Sequence, residues 1–495
     1  MIGVCASGIL IRAVAPLLND KRSEPPVISV SDDGSVVVPL LGGHRGANRL
    51  ARRIAKALSG VAAVTTAGDV ALGIALDEPP AGWRLGNPED AKNAMALLLS
   101  GVGARIGGDA ADDADWLKEL PEGDGLRITC DMRRPADLGP DHLWFAPQKL
   151  AIGVGSARGC PTEELRGLIE SSLAEANASP EALAAMSSID VKADEAAMNA
   201  LALEWGVPYR LFNAEELEAE ADRLTAPSDI VFAEVGCHGV AEGAALAQGG
   251  ENAELVVPKR KSTNATCAVA IVPKPIVELA GRERGRVSLV GIGPGKSDWR
   301  TPEASKLVSE ADDLVGYGLY IDLLGPLAFG KERHDFPLGG EEARCRFALE
   351  RAAEGRNVAI ICSGDAGIYA MGALVFELLD RGPDELGVSD AARRVDVVSA
   401  PGVSALQGAA ARAGAPLGHD FCAISLSDLL TPREDILRRI RAAAESDFVI
   451  AFYNPVSKRR RDLLALARDM LLQHRPADCP VLLASSLGRP EEELR

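Results

Sequence analysis

Four short runs constrain this chain more than anything else in it: KLAIGVGSARG, RVSLVGIGPG, NVAIICSGD and RVDVVSAPG. Each is a stretch of apolar, largely β-branched residues that ends in glycine or another turn residue. Strands that alternate apolar and polar residues have one wet face; unbroken apolar runs belong to strands buried on both. Sheets covered on both faces need helices between their strands, and helical patterns do follow most of these runs. The expected class is therefore α/β, with several domains and parallel sheets. SDFVIAFYNP repeats the theme. Ligands of such sheets gather beyond the carboxyl ends of the strands, so the glycine turns are the first places to look for chemistry.

At 495 residues the chain has room for about three domains at roughly 150 residues each. PPVISVSDDGSVVVPLL predicts a hairpin turning at Asp33-Gly34. GGHRGANRLARRIAKALSG predicts an amphipathic helix ending near Gly60. Because the chain opens directly in a strand, residues 1–70 are expected to lack an upstream strand and helix. The stretch 71–148 is less regular and carries no chemical signature, consistent with a small middle domain or an elaborated linker. Residues 149–272 alternate strand and helix as one α/β domain. PKPIVELAGRERG, 273–285, has prolines and charges without an apolar period and is the best linker candidate. The last unit spans 286–495; TPEASKLVSEADDLVG within it predicts one helix, N-capped by Thr301 and ending at Gly316.

The chain has 71 acidic and 53 basic residues, a net charge of −18. That balance excludes a general nucleic-acid or anionic-membrane binder, which needs a basic surface. No run is long and apolar enough for a membrane span, and Arg12 interrupts the only stretch resembling a signal peptide. Nine cysteines are dispersed without a C-x-x-C pair, which fits reduced thiols in a cytoplasmic protein. The six histidines form no metal-binding spacing, so no metal is expected.

Single motifs have two readings each. GIGPG (291–295) is either a structural turn or a set of main-chain donors for an anion; it fits neither the dinucleotide nor the P-loop pattern. In SGDAGIYAMG, Asp365 either accepts hydrogen bonds at a ligand site or caps the next helix. His44 in GGHRG and His238 in GCHGV sit in glycine-flanked turns, either as proton carriers or as histidines bonding their own main chain. Lys192, Glu195, Lys259 and Lys261 either bind acidic groups or face water. The basic run Lys458, Arg459, Arg460 and Arg461 is either a solvated helix start or a carboxylate clamp.

In combination and in order, GIGPG, SGDAGIYAMG, APGVSA, GHDFCAISLSDLLTP and FYNP resemble the tetrapyrrole methylase family. GHDFCAISLSDLLTPREDI with FYNPVSKRRR most resembles its precorrin-3B C(17)-methyltransferases. The resemblance implies a two-domain α/β methylase fold using S-adenosylmethionine, with Pro294, Gly364, Asp365, Ile368, Ser404, Ala405, Tyr453 and Asn454 near that cofactor. Ala366 and Ala370 replace the family's usual proline and glycine. Family members continue past the predicted strand PVLLASSLG, so the last elements of the fold are expected to lie beyond Arg495. The implied reaction is methylation of precorrin-3B at C-17 with ring contraction to precorrin-4, in cobalamin biosynthesis. Such a rearrangement needs a proton acceptor, for which His334 and His419 are candidates.

The first half resembles the cobalt-precorrin-5A hydrolases: their amino-terminal domain over 1–60, and their carboxyl-terminal domain through KLAIGVGSARGCPTEEL, VGCHGVAEGAAL and LVVPKRKSTNATCAVAI. The implied whole is a fusion of a corrinoid-lactone hydrolase-like module, with His44 and His238 as candidate catalytic residues, to a methyltransferase. A non-catalytic binding or channelling role for the first half stays open, as does a cobalt-containing or different precorrin substrate. A homodimer through the methylase domain and contacts with other corrin-pathway enzymes are the implied partnerships.

Overall fold

The computed structural model describes residues 1–495 except 16–17, 19–24, 44–45, 66–71, 73, 430 and 458–460. The described chain forms two units, Met1–Arg282 and Glu283–Arg495.

The first unit contains three sheets. Strands β1 (Ile2–Val4), β2 (Val27–Val30), β3 (Val36–Leu41) and β4 (Val61–Ala62) pair in that order. The β2–β3 hairpin turns at Asp33-Gly34, with Gly34 at φ +72°. The exposed Asp33 carboxylate accepts the Ser31 and Ser35 hydroxyls and the Ser35 N–H, which holds its pKa down to about 2. The helix Ala47–Leu58 lays Ala47, Ala51 and Ala55 on this sheet, a four-residue spacing that keeps them on one face.

The irregular middle stretch builds its own sheet. Its strands β5 (Trp83–Leu85), β6 (Ala104–Gly107), β7 (Leu126–Cys130) and β8 (His142–Pro147) lie in the order β5-β8-β7-β6. Leu98, Leu117, Ile128 and Phe145 form the centre of a separate core.

The third sheet has β9 (Leu150–Ser156), β10 (Leu183–Ile189), β11 (Tyr209–Phe212), β12 (Glu254–Lys261) and β13 (Ala265–Ile271), ordered β11-β10-β9-β13-β12. β9 is central and buried on both faces, as its composition requires. Leu165 and Ile169 of the helix Thr162–Glu175 pack against Leu150, Ile152 and Val154 on one face. The helix Val240–Gly249 covers the other so closely that a Cβ on Gly153 would lie 1.9 Å from the Ala241 carbonyl oxygen. Residues 276–282 are not loose: Ile276 N–H donates to the Gln148 carbonyl, Arg210 donates to the carbonyls of Ala280 and Gly281, and Arg282 pairs with Asp190. Charged side chains and main-chain bonds, rather than an apolar stripe, hold this stretch to the sheet.

In the second unit, β14 (Arg286–Gly291), β15 (Asp313–Gly316), β16 (Glu332–Asp335), β17 (Asn357–Cys362) and β18 (Asp396–Ala400) form an all-parallel sheet ordered β16-β15-β17-β14-β18. One expectation is corrected here. The helix capped by Thr301 runs only from Pro302 to Glu310, and Asp313–Gly316 is a strand rather than its last turn. Asp313 shows why: it is fully buried, and its carboxylate takes Nε2 of His334 (2.8 Å) and the guanidinium groups of Arg351 and Arg356 from neighbouring elements. Burial alone would raise its pKa; the Arg356, His334 and Arg351 bonds outweigh that and lower it.

Beyond this sheet, β19 (Phe421–Ser425) and β20 (Val449–Tyr453) pair in parallel. Ile424 and Leu426 pack on Ile436, Ile440 and Leu463 of the helices Arg433–Glu445 and Leu463–Leu471. PVLLASSLG forms only a two-residue strand, β21 (Ala484–Ser485), antiparallel to β22 (Glu493–Leu494). No single described helix is long and apolar enough to cross a membrane.

Candidate functional site

β14, β17 and β18 are neighbours, and their carboxyl ends carry GIGPG, SGDAG and APGVS. GIGPG is a structural turn: Gly293 and Gly364 exchange two main-chain hydrogen bonds, of 3.1 and 2.9 Å, which tie the first turn to the second. Asp365 then ties the second to the third. Its Oδ2 accepts the Gly402 N–H at 2.9 Å and its Oδ1 accepts the Gly367 N–H at 2.8 Å. The junction tolerates no side chain, since a Cβ on Gly402 would lie 2.1 Å from the Gly364 carbonyl oxygen. Gly364 itself sits at φ +74°, a conformation that costs other residues energy.

Ser404 is buried and serves as the N-cap of the helix Ala405–Ala413, exchanging bonds with Gln407 in a capping box. The next donor of that helix, Leu406 N–H, goes to the Tyr453 hydroxyl at 3.0 Å. Two of the first donors of this helix, Leu406 and Gln407 N–H, are therefore taken by protein groups. Tyr453 ends β20, and Asn454 follows at φ +49°, its Nδ2 donating to Ser425 Oγ at 3.2 Å. Pro294 is buried, with its carbonyl accepting Arg489 Nε at 3.1 Å. Ile368 and Ala405 are exposed. Within the unit, then, Gly364, Asp365, Ser404, Leu406 and Tyr453 form one connected set.

Sequence reasoning passed over Tyr369. It is another non-glycine residue at positive φ, +50°, and its hydroxyl donates to the Ala423 carbonyl at 2.7 Å. Its ring lies 5.0 Å from that of Tyr453, and burial raises its phenol pKa. Backbone strain of this kind is kept only where the surroundings over-determine it. The available signal was an aromatic residue inside a strand-end turn, in a chain only 4% aromatic.

The proposed proton acceptors lie elsewhere. His334 holds the edge strand β16 through the Asp313 cluster and packs on Phe347. That cluster involves Asp313, the first residue of β15, and Arg356, which immediately precedes β17, and so marks the amino end of the sheet. His419 is exposed just before β19, whereas Tyr453 and Asn454 stand at the far end of the β19–β20 pair. Lys458, Arg459 and Arg460 lie outside the described residues; Arg461 is exposed.

In the first unit, His44 lies outside the described residues. His238 is held by Glu218, which takes its main-chain N–H at 2.9 Å and Nδ1 at 2.8 Å, and its ring stacks on Phe232. Those bonds, the main-chain one foremost, lower the Glu218 pKa. Glu195 is buried, with Oε1 accepting the Gly159 N–H. Lys192, Lys259 and Lys261 line a common cavity.

A cavity in the first unit and the Asp365 junction in the second thus stand at carboxyl ends of strands in α/β sheets, the arrangement of an α/β enzyme whose loops rather than strands carry the chemistry. Comparison with known proteins gives the class a family. The chain belongs to the tetrapyrrole (corrin/porphyrin) methylases, whose family model matches residues 286–495. Two further family models match the remainder: cobalamin synthesis G, N-terminal, over residues 1–69, and cobalamin synthesis G, C-terminus, over 150–270. Residues of this chain are 45% identical over 210 positions to a precorrin-3B C(17)-methyltransferase of Sinorhizobium sp., covering 42% of this chain and 80% of that one. A cobalt-factor III methyltransferase of Priestia megaterium is 41% identical over 213 positions, covering 43% of this chain and only 38% of the relative. The solved structure of the methyltransferase CobJ is 40% identical, covering 43% of this chain and 85% of that one, with a TM-score of 0.39.

Proposed function

We propose that the second unit transfers a methyl group from S-adenosylmethionine to C-17 of precorrin-3B, with ring contraction to precorrin-4, in cobalamin biosynthesis. The first unit is the corrinoid-lactone hydrolase-like partner fused to it. The observation that carries this reading is the Asp365 junction, which fixes three strand-end turns in one geometry within a chain of the methylase family.

The residues present fit the cofactor. At the amino end of the helix Ala405–Ala413, Ser404 and Tyr453 take the Gln407 and Leu406 N–H groups, which leaves few donors for a phosphate and suits a ligand without one. The carboxylate of Asp365 places negative charge where a cationic ligand is favoured, and the exposed Ile368 and Ala405 offer apolar surface beside it. When bound, S-adenosylmethionine supplies an electrophilic methyl on a sulfonium. The work left to the protein is alignment. Asp365, Gly402 and Gly364 keep the turns rigid, and in-line displacement gains its rate from exactly such fixed approach geometry. Tyr369 and Tyr453 close one side with their rings and help to exclude water.

The relatives' names include both a metal-free and a cobalt-containing substrate, so the decisive assay offers both. The chain is incubated with S-adenosylmethionine and either precorrin-3B or cobalt-factor III, and the product is examined by mass spectrometry and NMR. Gain of one methyl at C-17 is expected. Methylation at another ring carbon, or none with either substrate, overturns the reading.

A further inference from the structure

The first unit has a half-open cavity of about 470 Å³ beyond the carboxyl ends of β9 and β10, in the size range of small-molecule sites. Three ammonium groups line it, those of Lys192, Lys259 and Lys261, against one carboxylate, Glu234. Lysines thus outnumber carboxylates among its lining side chains, in a chain whose net charge is −18. Lys259 is fixed, its Nζ donating to the Ala226 carbonyl at 3.0 Å.

One further feature points the same way. Gly239, Val240 and Ala241 line the cavity, and they begin the helix Val240–Gly249, whose first N–H groups have no side-chain cap. Lysines and an uncapped helix start together form a recognition surface for an anion.

One wall is built differently from the rest. The helix Asp229–Val235 contributes Val231, Glu234 and Val235 to the lining but buries none of its residues; Ile230 is 75% exposed. It turns 78° away from the helix Val240–Gly249, across a break that starts at Gly236, φ +81°. A segment with so little buried surface is the part of the enclosure that moves at lowest cost.

We propose that this cavity is a carboxylate-binding site that takes one edge of a polycarboxylate ligand, with the helix Asp229–Val235 as its movable wall. The site follows from the geometry; the choice of a tetrapyrrole as the polycarboxylate rests on the function proposed above.

The test uses the full chain and uroporphyrin III, a tetrapyrrole polycarboxylate, as probe. Amine acetylation read by peptide mass spectrometry should slow roughly fivefold at Lys192, Lys259 and Lys261 when the probe is present, and not at exposed Lys56 or Lys306. The double variant Lys192→Gln/Lys261→Gln should bind the probe roughly twentyfold more weakly. Its binding of S-adenosylhomocysteine, a property of the second unit, should be unchanged, which separates failure here from failure of the methylase reading. Amide exchange over 229–236 should slow on binding. Uniform or absent lysine protection, or full probe affinity in the double variant, overturns the site. Equal protection by inorganic phosphate at the same concentration overturns the polycarboxylate assignment, and unchanged amide exchange overturns the movable wall.

Discussion

The sheet of β9–β13 and the sheet of β14–β18 use the same device and arrive at opposite electrostatics. In each, a central strand buried on both faces ends in small residues, and a helix start is brought close by a glycine that leaves no room for a side chain. Over β9 the incoming helix is uncapped and lysines surround its start. Over β14 and β18 the incoming helix is capped by Ser404 and Tyr453, and the charge at the strand ends is that of Asp365. Fold alone therefore does not decide what a strand end binds. Whether the helix start is left open, and which charged side chain the turn carries, decides it.

Four substitutions would break or sharpen this contrast. The largest effect is expected from Gly153→Ala, because the new Cβ meets backbone, the Ala241 carbonyl at 1.9 Å, rather than a yielding side chain. It should cost about 3 kcal/mol in urea unfolding of the first unit, in the range of overpacked cores, and leave the second transition alone. A cost below about 1 kcal/mol would show that the helix start does not depend on this close approach.

Asp365→Asn comes next. The amide keeps one acceptor but turns a donor toward the Gly402 or Gly367 N–H, so S-adenosylhomocysteine affinity by calorimetry should fall roughly thirtyfold, about 2 kcal/mol. Unchanged affinity would remove Asp365 from the site. Tyr453→Phe deletes one neutral hydrogen bond at the helix start and should weaken the same ligand roughly fivefold, about 1 kcal/mol. A loss as large as that of Asp365→Asn would instead make the Tyr453 hydroxyl a ligand contact.

The smallest effect is a pH dependence. Glu242 lies in the first turn of the uncapped helix; burial alone would raise its pKa, but the Thr225 hydroxyl and the N–H groups of Lys259, Thr225 and Ala226 lower it. A depressed carboxylate stabilises the fold above its ordinary pKa of 4.5 and loses that contribution as pH falls toward and through the lowered value. Urea midpoints of the wild type should drop over that interval, and those of Glu242→Gln should be lower at neutral pH with a flatter acid profile. Parallel profiles would contradict the assignment.

Much of this was legible in the sequence. Unbroken apolar runs and glycine turns gave the strands β9, β14, β17 and β18, the Asp33-Gly34 hairpin and the Thr301 cap, because each depends on residues close in the chain; β18, however, is an edge strand and only partly buried rather than covered on both faces. β15 was missed for a definite reason. Four residues, Asp-Leu-Val-Gly, are too few to show a period of 2 against 3.6, and Asp313 looks like a surface residue until Arg351, Arg356 and His334 arrive from other elements. His334 was drawn from its residue type, yet its partner lies on a neighbouring strand at the amino end of the sheet.

The sequence by itself determined the α/β class and the family, since buried parallel strands and glycine turns impose local patterns that survive without a structure. Only the tertiary structure decided what each strand end does. Asp365 meets Gly402 across 37 positions, and Lys192 joins Lys259 and Lys261 from a different strand–helix connection. Such groupings join the ends of strands that are not adjacent, β17 with β18 across β14 and β10 with β12 across β9 and β13, and the order of strands in a sheet is not written in the pattern of any one of them.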